Sequence, residues 1–111
     1  MIGYNGGYGI YLREEAFDIT ISNNEIRNNN IANNATDDGI GFNDHAGRVT
    51  ISGNLIVDNG ASGVDCNGAL RSVNIDNNTI TGNGISTAVG AENSGIRGWG
   101  FSKSITHNII L

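Results

Sequence analysis

The sequence predicts an all-β solenoid of about four coils with three short strands per coil, and three observations predict it. The pattern Asn-x-Ile-x-x-Asn occurs three times, at residues 24–29, 54–59 and 78–83. Each copy follows a short alternating strand, Ile19-Thr20-Ile21, Val49-Thr50-Ile51 and Val73-Asn74-Ile75. Each strand in turn lies nine or ten residues after a Gly-aliphatic pair, Gly9-Ile10, Gly39-Ile40 and Gly63-Val64. A fourth, incomplete copy runs from Gly95-Ile96 through Ile105-Thr106 to Asn108-Ile109-Ile110. Repetition at a period of about 20–50 residues is the mark of stacked architectures, in which each unit buries its apolar face against the next.

The first strand of each coil follows the Gly. The second is centred on Thr20, Thr50, Asn74 and Thr106, and the third on Ile26, Ile56, Ile80 and Ile110. Strands alternate faces with period two, so the aliphatics stack inward as apolar columns while Thr, Ser and Asn face out. The Gly-aliphatic markers give coils of 30, 24 and 32 residues, from Ile10 to Ile40, Val64 and Ile96. On this alignment the last coil is two residues short between Ile105 and Asn108.

The recurrent Asn residues have a structural task. A coil that bends sharply between strands leaves inward-facing backbone groups that must be paired. Asn tolerates the left-handed backbone such bends need, and its amide both donates and accepts. Asn24, Asn54, Asn78 and Asn108 are expected to form one ladder, and Asn29, Asn59 and Asn83 a second. Between the last ladder Asn and the next Gly the spacing is ten, four and twelve residues. Such insertions become loops on one side of a repeat protein. Two loops, 30–38 and 84–94, should therefore overhang one edge with a tight turn between them, making a notch.

Composition bounds the rest. Seventeen Gly and no Pro in 111 residues suit a turn-rich β protein, and the length suits one domain, 1–111, either complete or a segment of a longer stack. No apolar stretch has helical spacing, and none is long enough for a membrane span. The net charge of −5 comes from scattered acids without a basic patch, which argues against a nucleic-acid partner. The N-terminus lacks the basic and apolar regions of a secretory signal. One cysteine, Cys66, cannot form an internal disulfide and is read as a small interior residue, so the compartment stays unknown.

This pattern, over residues 9–111, resembles the right-handed parallel β-helix proteins, the pectate-lyase-like superfold. Its repeats are similar to those of mannuronan C5-epimerases, periplasmic copper-maturation proteins, polysaccharide lyases and phage tailspikes. The resemblance implies a short right-handed parallel β-helix and an association with carbohydrate; it leaves open whether the chain is an enzyme, because one scaffold carries many chemistries. Larger relatives use many more coils and a terminal cap.

The loops border the strand after each Gly. Alternation places Tyr11, Gly41, Asp65 and Arg97 in one outward row, with Arg13, Asn43, Asn67 and Trp99 beside it. Aromatics, guanidinium groups and amides on a flat sheet, with a dent at Gly41, suit a polysaccharide or oligosaccharide, an acidic one included: rings take C–H faces, while Asn and Arg take hydroxyls and carboxylates. The same residues also suit an ordinary solvated sheet. Mannuronan C5-epimerases carry Asp-Pro-His-Glu after Gly-Phe in such a coil, with a further Asp one coil on. Here Gly41-Phe42-Asn43-Asp44-His45-Ala46 keeps the Gly-Phe and the His, with Asn67 at the later Asp. Asn43, Asp44 and Ala46 stand where the motif has Asp, Pro and Glu, so lyase- or epimerase-like chemistry would need Asp44 or Asp65, in neighbouring coils, to act with His45 in place of the missing acids, although an Asp-His pair is also a common turn. Arg13-Glu14-Glu15 and Asp37-Asp38 read better as solvated charge or turn capping than as calcium ligands, and no metal or other cofactor is expected. The Thr20, Thr50, Asn74, Thr106 row is too irregular for an ice-binding face.

A terminal β-helix coil presents unpaired backbone groups, as a sheet edge does. The apolar last coil, with Trp99, Phe101 and residues 109–111, therefore predicts a homo-oligomer joined there, through a two-fold contact because such a contact closes. A structural or assembly module of this kind is the alternative to a carbohydrate module.

Overall fold

The computed structural model describes residues 1–43, 46–67, 71–98 and 103–111. Strand β1 (Ile2–Gly3) precedes four turns of the chain. The first holds β2 (Ile10–Leu12), β3 (Phe17–Ser22) and β4 (Glu25–Arg27); the second holds β5 (Ile40–Phe42), β6 (Gly47–Ser52) and β7 (Leu55–Val57). The third holds β8 (Ser62–Asp65), β9 (Val73–Asp76) and β10 (Thr79–Thr81), and the fourth β11 (Ser94–Arg97), β12 (Lys103–Thr106) and β13 (Ile109–Ile110). Every pairing is parallel and joins a strand to its counterpart one turn away, giving three sheets ordered β1-β4-β7-β10-β13, β2-β5-β8-β11 and β3-β6-β9-β12. This is a short right-handed parallel β-helix.

Its interior is a set of aliphatic columns. Ile26, Ile56 and Ile80 stand in register and are fully buried, as are Ile51 and Ile75 behind Ile21. Burying each such side chain contributes about 1.5–3 kcal/mol. Cys66 lies inside as expected, and burial pushes its thiol up to about 11. The columns lose their cover at the fourth turn, where Ile105 and Ile110 are roughly half exposed.

Both ladders form. Asn54 donates from its backbone N–H and its Nδ2 to Asn78 Oδ1 at 2.9 and 3.0 Å, and Asn78 treats Asn108 the same way. Asn24 donates its N–H to Asn54 Oδ1. The second ladder runs Asn29, Asn59, Asn83 and extends back to Asn5. From Asn29 and Asn54 onward, each ladder Nδ2 also reaches an Ile carbonyl of the preceding turn, Ile21 for Asn54 and Ile26 for Asn59, while Asn24 Nδ2 bonds the Ser22 carbonyl. No buried side-chain nitrogen or oxygen among the described residues lacks a partner. The left-handed backbone, however, belongs to the residue before each ladder Asn: Asn23, Gly53, Asn77 and His107 in one ladder, Asn28, Asp58 and Gly82 in the other. The ladder amide thus ties the bend without adopting its strained conformation.

The recurrent Gly also has a cause. A Cβ on Gly39 would stand 2.6 Å from the Gly63 carbonyl and 2.8 Å from Asn59 Nδ2, and Gly9 and Gly63 are crowded alike. The second ladder therefore requires Gly in front of each inward aliphatic.

Two expectations about register are corrected. Asn74 pairs with Ser104, and Thr106 pairs with Asp76, so Thr106 does not belong to the Thr20–Thr50–Asn74 row. The last turn is consequently not short there; Ile105 stands three residues before Asn108, as Ile75 does before Asn78.

Candidate functional site

The row singled out by alternation exists. Tyr11 pairs with Gly41, Gly41 with Asp65 and Asp65 with Arg97, each on a neighbouring strand of the β2 sheet. Inward neighbours Ile40 and Val64 are fully buried and anchor the strands, which fixes the outward positions between them.

The dent at Gly41 is filled. A Cβ there would lie 2.6 Å from Tyr8 Cδ1 and closer still to Cε1, so the edge of the Tyr8 ring rests on the Gly41 backbone. Tyr8 lies parallel to Tyr11, centroids 4.2 Å apart with 7° between planes. The Arg13 guanidinium stands 5.8 Å from the Tyr11 ring centroid and 3.6 Å from Glu14. Along the helix axis the face therefore reads Tyr11, Tyr8, Asp65, Arg97.

Charge on this face is largely met internally. Arg97 Nη1 lies 2.7 Å from Asp65 Oδ2 and 2.5 Å from Glu92 Oε2. Asp65 Oδ1 accepts the Asn67 backbone N–H at 2.9 Å, so both Asp65 oxygens are engaged. Asp38 lies beneath, 3% exposed, with Oδ1 accepting the Ser62 N–H at 2.6 Å and Oδ2 3.4 Å from the Gly41 Cβ position. Burial raises its pKa to about 7; the Asp65 carboxylate adds to the shift, and the Ser62 N–H opposes it. Tyr8 is pushed to about 12, chiefly by burial.

The structure thus brings Tyr11, Asp65 and Arg97 into one row, with Asn67 bonded to Asp65 and Arg13 beside Tyr11. Asn43, half buried, donates its backbone N–H to the Leu12 carbonyl on the neighbouring strand. Asp44, His45 and Trp99 lie outside the described residues, as does Phe101. Tyr8, Asp38 and Glu92 were not singled out from the sequence as site residues. Tyr8 and Asp38 stand directly before the repeated Gly but share no residue type there, and Glu92 lies in the longest insertion between coils.

The expected notch is bridged. Asn33 Oδ1 accepts from the Thr87 N–H at 2.9 Å and the Ser86 hydroxyl at 3.0 Å, and the Glu92 N–H reaches the Ala35 carbonyl. Ser62 Oγ donates to the Glu92 carbonyl at 2.8 Å. The two loops clasp over the short turn between them, whose Ala61 and Ser62 are buried. The turn is tight, as its four-residue spacing implies, but the longer loops close over it because their polar backbone and Asn side chains pair with one another.

Elsewhere, Arg48 holds Asp18 with two bonds of 2.7 and 2.9 Å, and Arg48 and Arg71 both lie over the Phe17 ring. Asp37 accepts from Asn34 Nδ2, a turn-capping bond. Among the described residues no three His, Cys, Asp or Glu side chains converge as metal ligands.

A family model described as the right handed beta helix region matches residues 2–110. No curated protein and no solved structure matches the chain.

Proposed function

We propose that this chain, which belongs to the right-handed β-helix family, is a carbohydrate-associated module that takes a polysaccharide along the outward face of the β2 sheet. One observation supports the reading: Tyr11, Gly41, Asp65 and Arg97 sit in register on successive strands, so Asp65 and Arg97 are one strand spacing apart, about 4.8 Å, and Tyr11 stands two spacings from Asp65 across the Gly41 gap. Sugar hydroxyls donate and accept, so they can bond a carboxylate and a guanidinium already paired with each other. Aromatic edges and faces take the C–H surfaces. Arg13, Asn43, Asn67 and Trp99 would extend the binding face. Processing of the bound polymer, by lyase- or epimerase-like chemistry, would fall to Asp44, His45 and Asp65. An oligosaccharide array tests the reading. Retention of at least one glycan, lost in Arg97→Ala and Trp99→Ala while the circular dichroism stays β-rich, supports it; an empty array, or binding untouched by both changes, overturns it.

A second reading, as an assembly module, is favoured by the open fourth turn. There Ile105, Ile109, Ile110 and Leu111 are all exposed, Leu111 by 83%. A second copy of the chain would cover them. Sedimentation at micromolar concentration decides: a folded monomer of 11.6 kDa removes the reading.

A further inference from the structure

We propose that Tyr8 fills, in the free protein, a subsite for one uncharged sugar ring, lying above Gly41 between Tyr11 and Asp65; the inference rests on the glycan reading of this face.

The slot has a floor, two walls and a flat occupant. Gly41 is the one member of its row without a side chain, and the Tyr8 ring edge rests on it in van der Waals contact with its backbone. Tyr11 forms one wall, parallel to that ring at 4.2 Å. The opposite wall carries acceptors: Asp65, the registered partner of Gly41, and Asp38, whose Oδ2 lies 3.4 Å from the Gly41 Cβ position. A slot one strand wide, with an aromatic wall facing hydroxyl-binding carboxylates, is the environment a pyranose ring requires.

Tyr8 is not demanded there by the fold. It lies between strands, just after Gly6 and Gly7, and the equivalent positions of later turns are Asp38, Ser62 and Ser94, none of them aromatic. Swinging Tyr8 away breaks its hydroxyl's hydrogen bond with Thr36 but disturbs no ladder and no interior column.

The walls also choose the class of sugar. A uronate in the slot would face Asp38 and Asp65, while the guanidinium nearest to it already holds Asp65 and Glu92. Asp65 and Glu92 already set two carboxylates against one guanidinium, so a third carboxylate on the sugar is disfavoured by simple repulsion. A neutral ring offers hydroxyl donors to the same oxygens.

The test measures binding of neutral oligosaccharides (xylo-, manno- and cello-) and of oligogalacturonate and oligomannuronate to the whole chain and to Tyr8→Ala. Removing one ring-on-ring contact is expected to tighten neutral binding several-fold, up to about tenfold. The double change Tyr8→Ala with Gly41→Val refills the slot and should reverse the gain. In the unmutated protein, a saturating neutral ligand should make Tyr8 more reactive to nitration, a readout independent of whether the variants fold. Unchanged or weakened neutral binding in Tyr8→Ala, or nitration of Tyr8 that falls on binding, overturns the subsite. Preference for the uronates overturns the choice of sugar. Absence of binding to the unmutated protein and the variants alike overturns the glycan reading itself, and the subsite falls with it.

Discussion

At the ladder bends, successive turns place the same residue at the same height: Asn24, Asn54, Asn78 and Asn108 each meet the next. On the outward face of the β2 sheet, the same four turns place Tyr11, Gly41, Asp65 and Arg97. The contrast follows from what each position must satisfy. A ladder Asn must accept from one turn and donate to the next, and only another amide of equal length closes both bonds. An outward side chain has water as a partner, so nothing in the stack compels it to match its neighbour. Repetition marks what the fold needs, and the break in repetition marks where residues are free to serve something else.

The largest break of this rule should come from the interior columns. Ile51→Ala removes a fully buried side chain between Ile21 and Ile75, and should cost about 2–5 kcal/mol in urea unfolding, leaving a cavity the stacked turns cannot close. Asn54→Leu should cost less, about 1–3 kcal/mol, by stranding Asn24 N–H and the Ile21 carbonyl. A melting temperature within a degree or two of the parent would mean that the ladder is not a stabilising element.

Much of this was legible because it repeats. The Asn, Gly and Ile positions announce coils, ladders and interior at fixed spacing, and Ile105 to Asn108 could have corrected the misplaced Thr106, since Ile75 to Asn78 has the same separation. Tyr8 and Asp38 were illegible for the opposite reason. Each stands directly before the repeated Gly, a position the period marks, but the residue type there changes from Tyr to Asp to Ser, so nothing set a site residue apart from a turn residue. The clasp between the loops was hidden likewise: Asn33 and Thr87 are 54 residues apart and belong to no shared pattern.

A subtler break concerns Asp38, where burial holds the carboxyl at about 7. An acid whose pKa rises on folding keeps its proton more tightly when folded, so its contribution to stability is greatest below about pH 4. That contribution declines as pH climbs to about 7 and is level beyond. Asp38→Asn keeps an acceptor for the Ser62 N–H and should flatten this slope. Its melting temperature should match the parent at about pH 4 and exceed it at about pH 8; the same deficit at both would remove the buried carboxyl as the cause.

The smallest effect on stability should come from the outward row. Arg97→Ala removes partly exposed ion pairs and should cost under about 1 kcal/mol, while costing the glycan binding proposed above. A loss of several kcal/mol would show that this row, too, belongs to the scaffold.

The ladders have one consequence beyond strength, which is direction. Within the first ladder the backbone N–H groups of Asn24, Asn54 and Asn78, and the Nδ2 groups of Asn54 and Asn78, donate toward the C-terminal turn. The amide dipoles line up head to tail and polarise one another. The stack is therefore a vector with two chemically unlike ends. A further turn can extend it only by arriving in the same sense, with an oxygen presented to the N–H of Asn108. Two copies meeting face to face across a two-fold axis would bring ladder donor against ladder donor, so the ladder could not run on across the contact, which would rest on strand edges and on exposed Ile105, Ile109, Ile110 and Leu111.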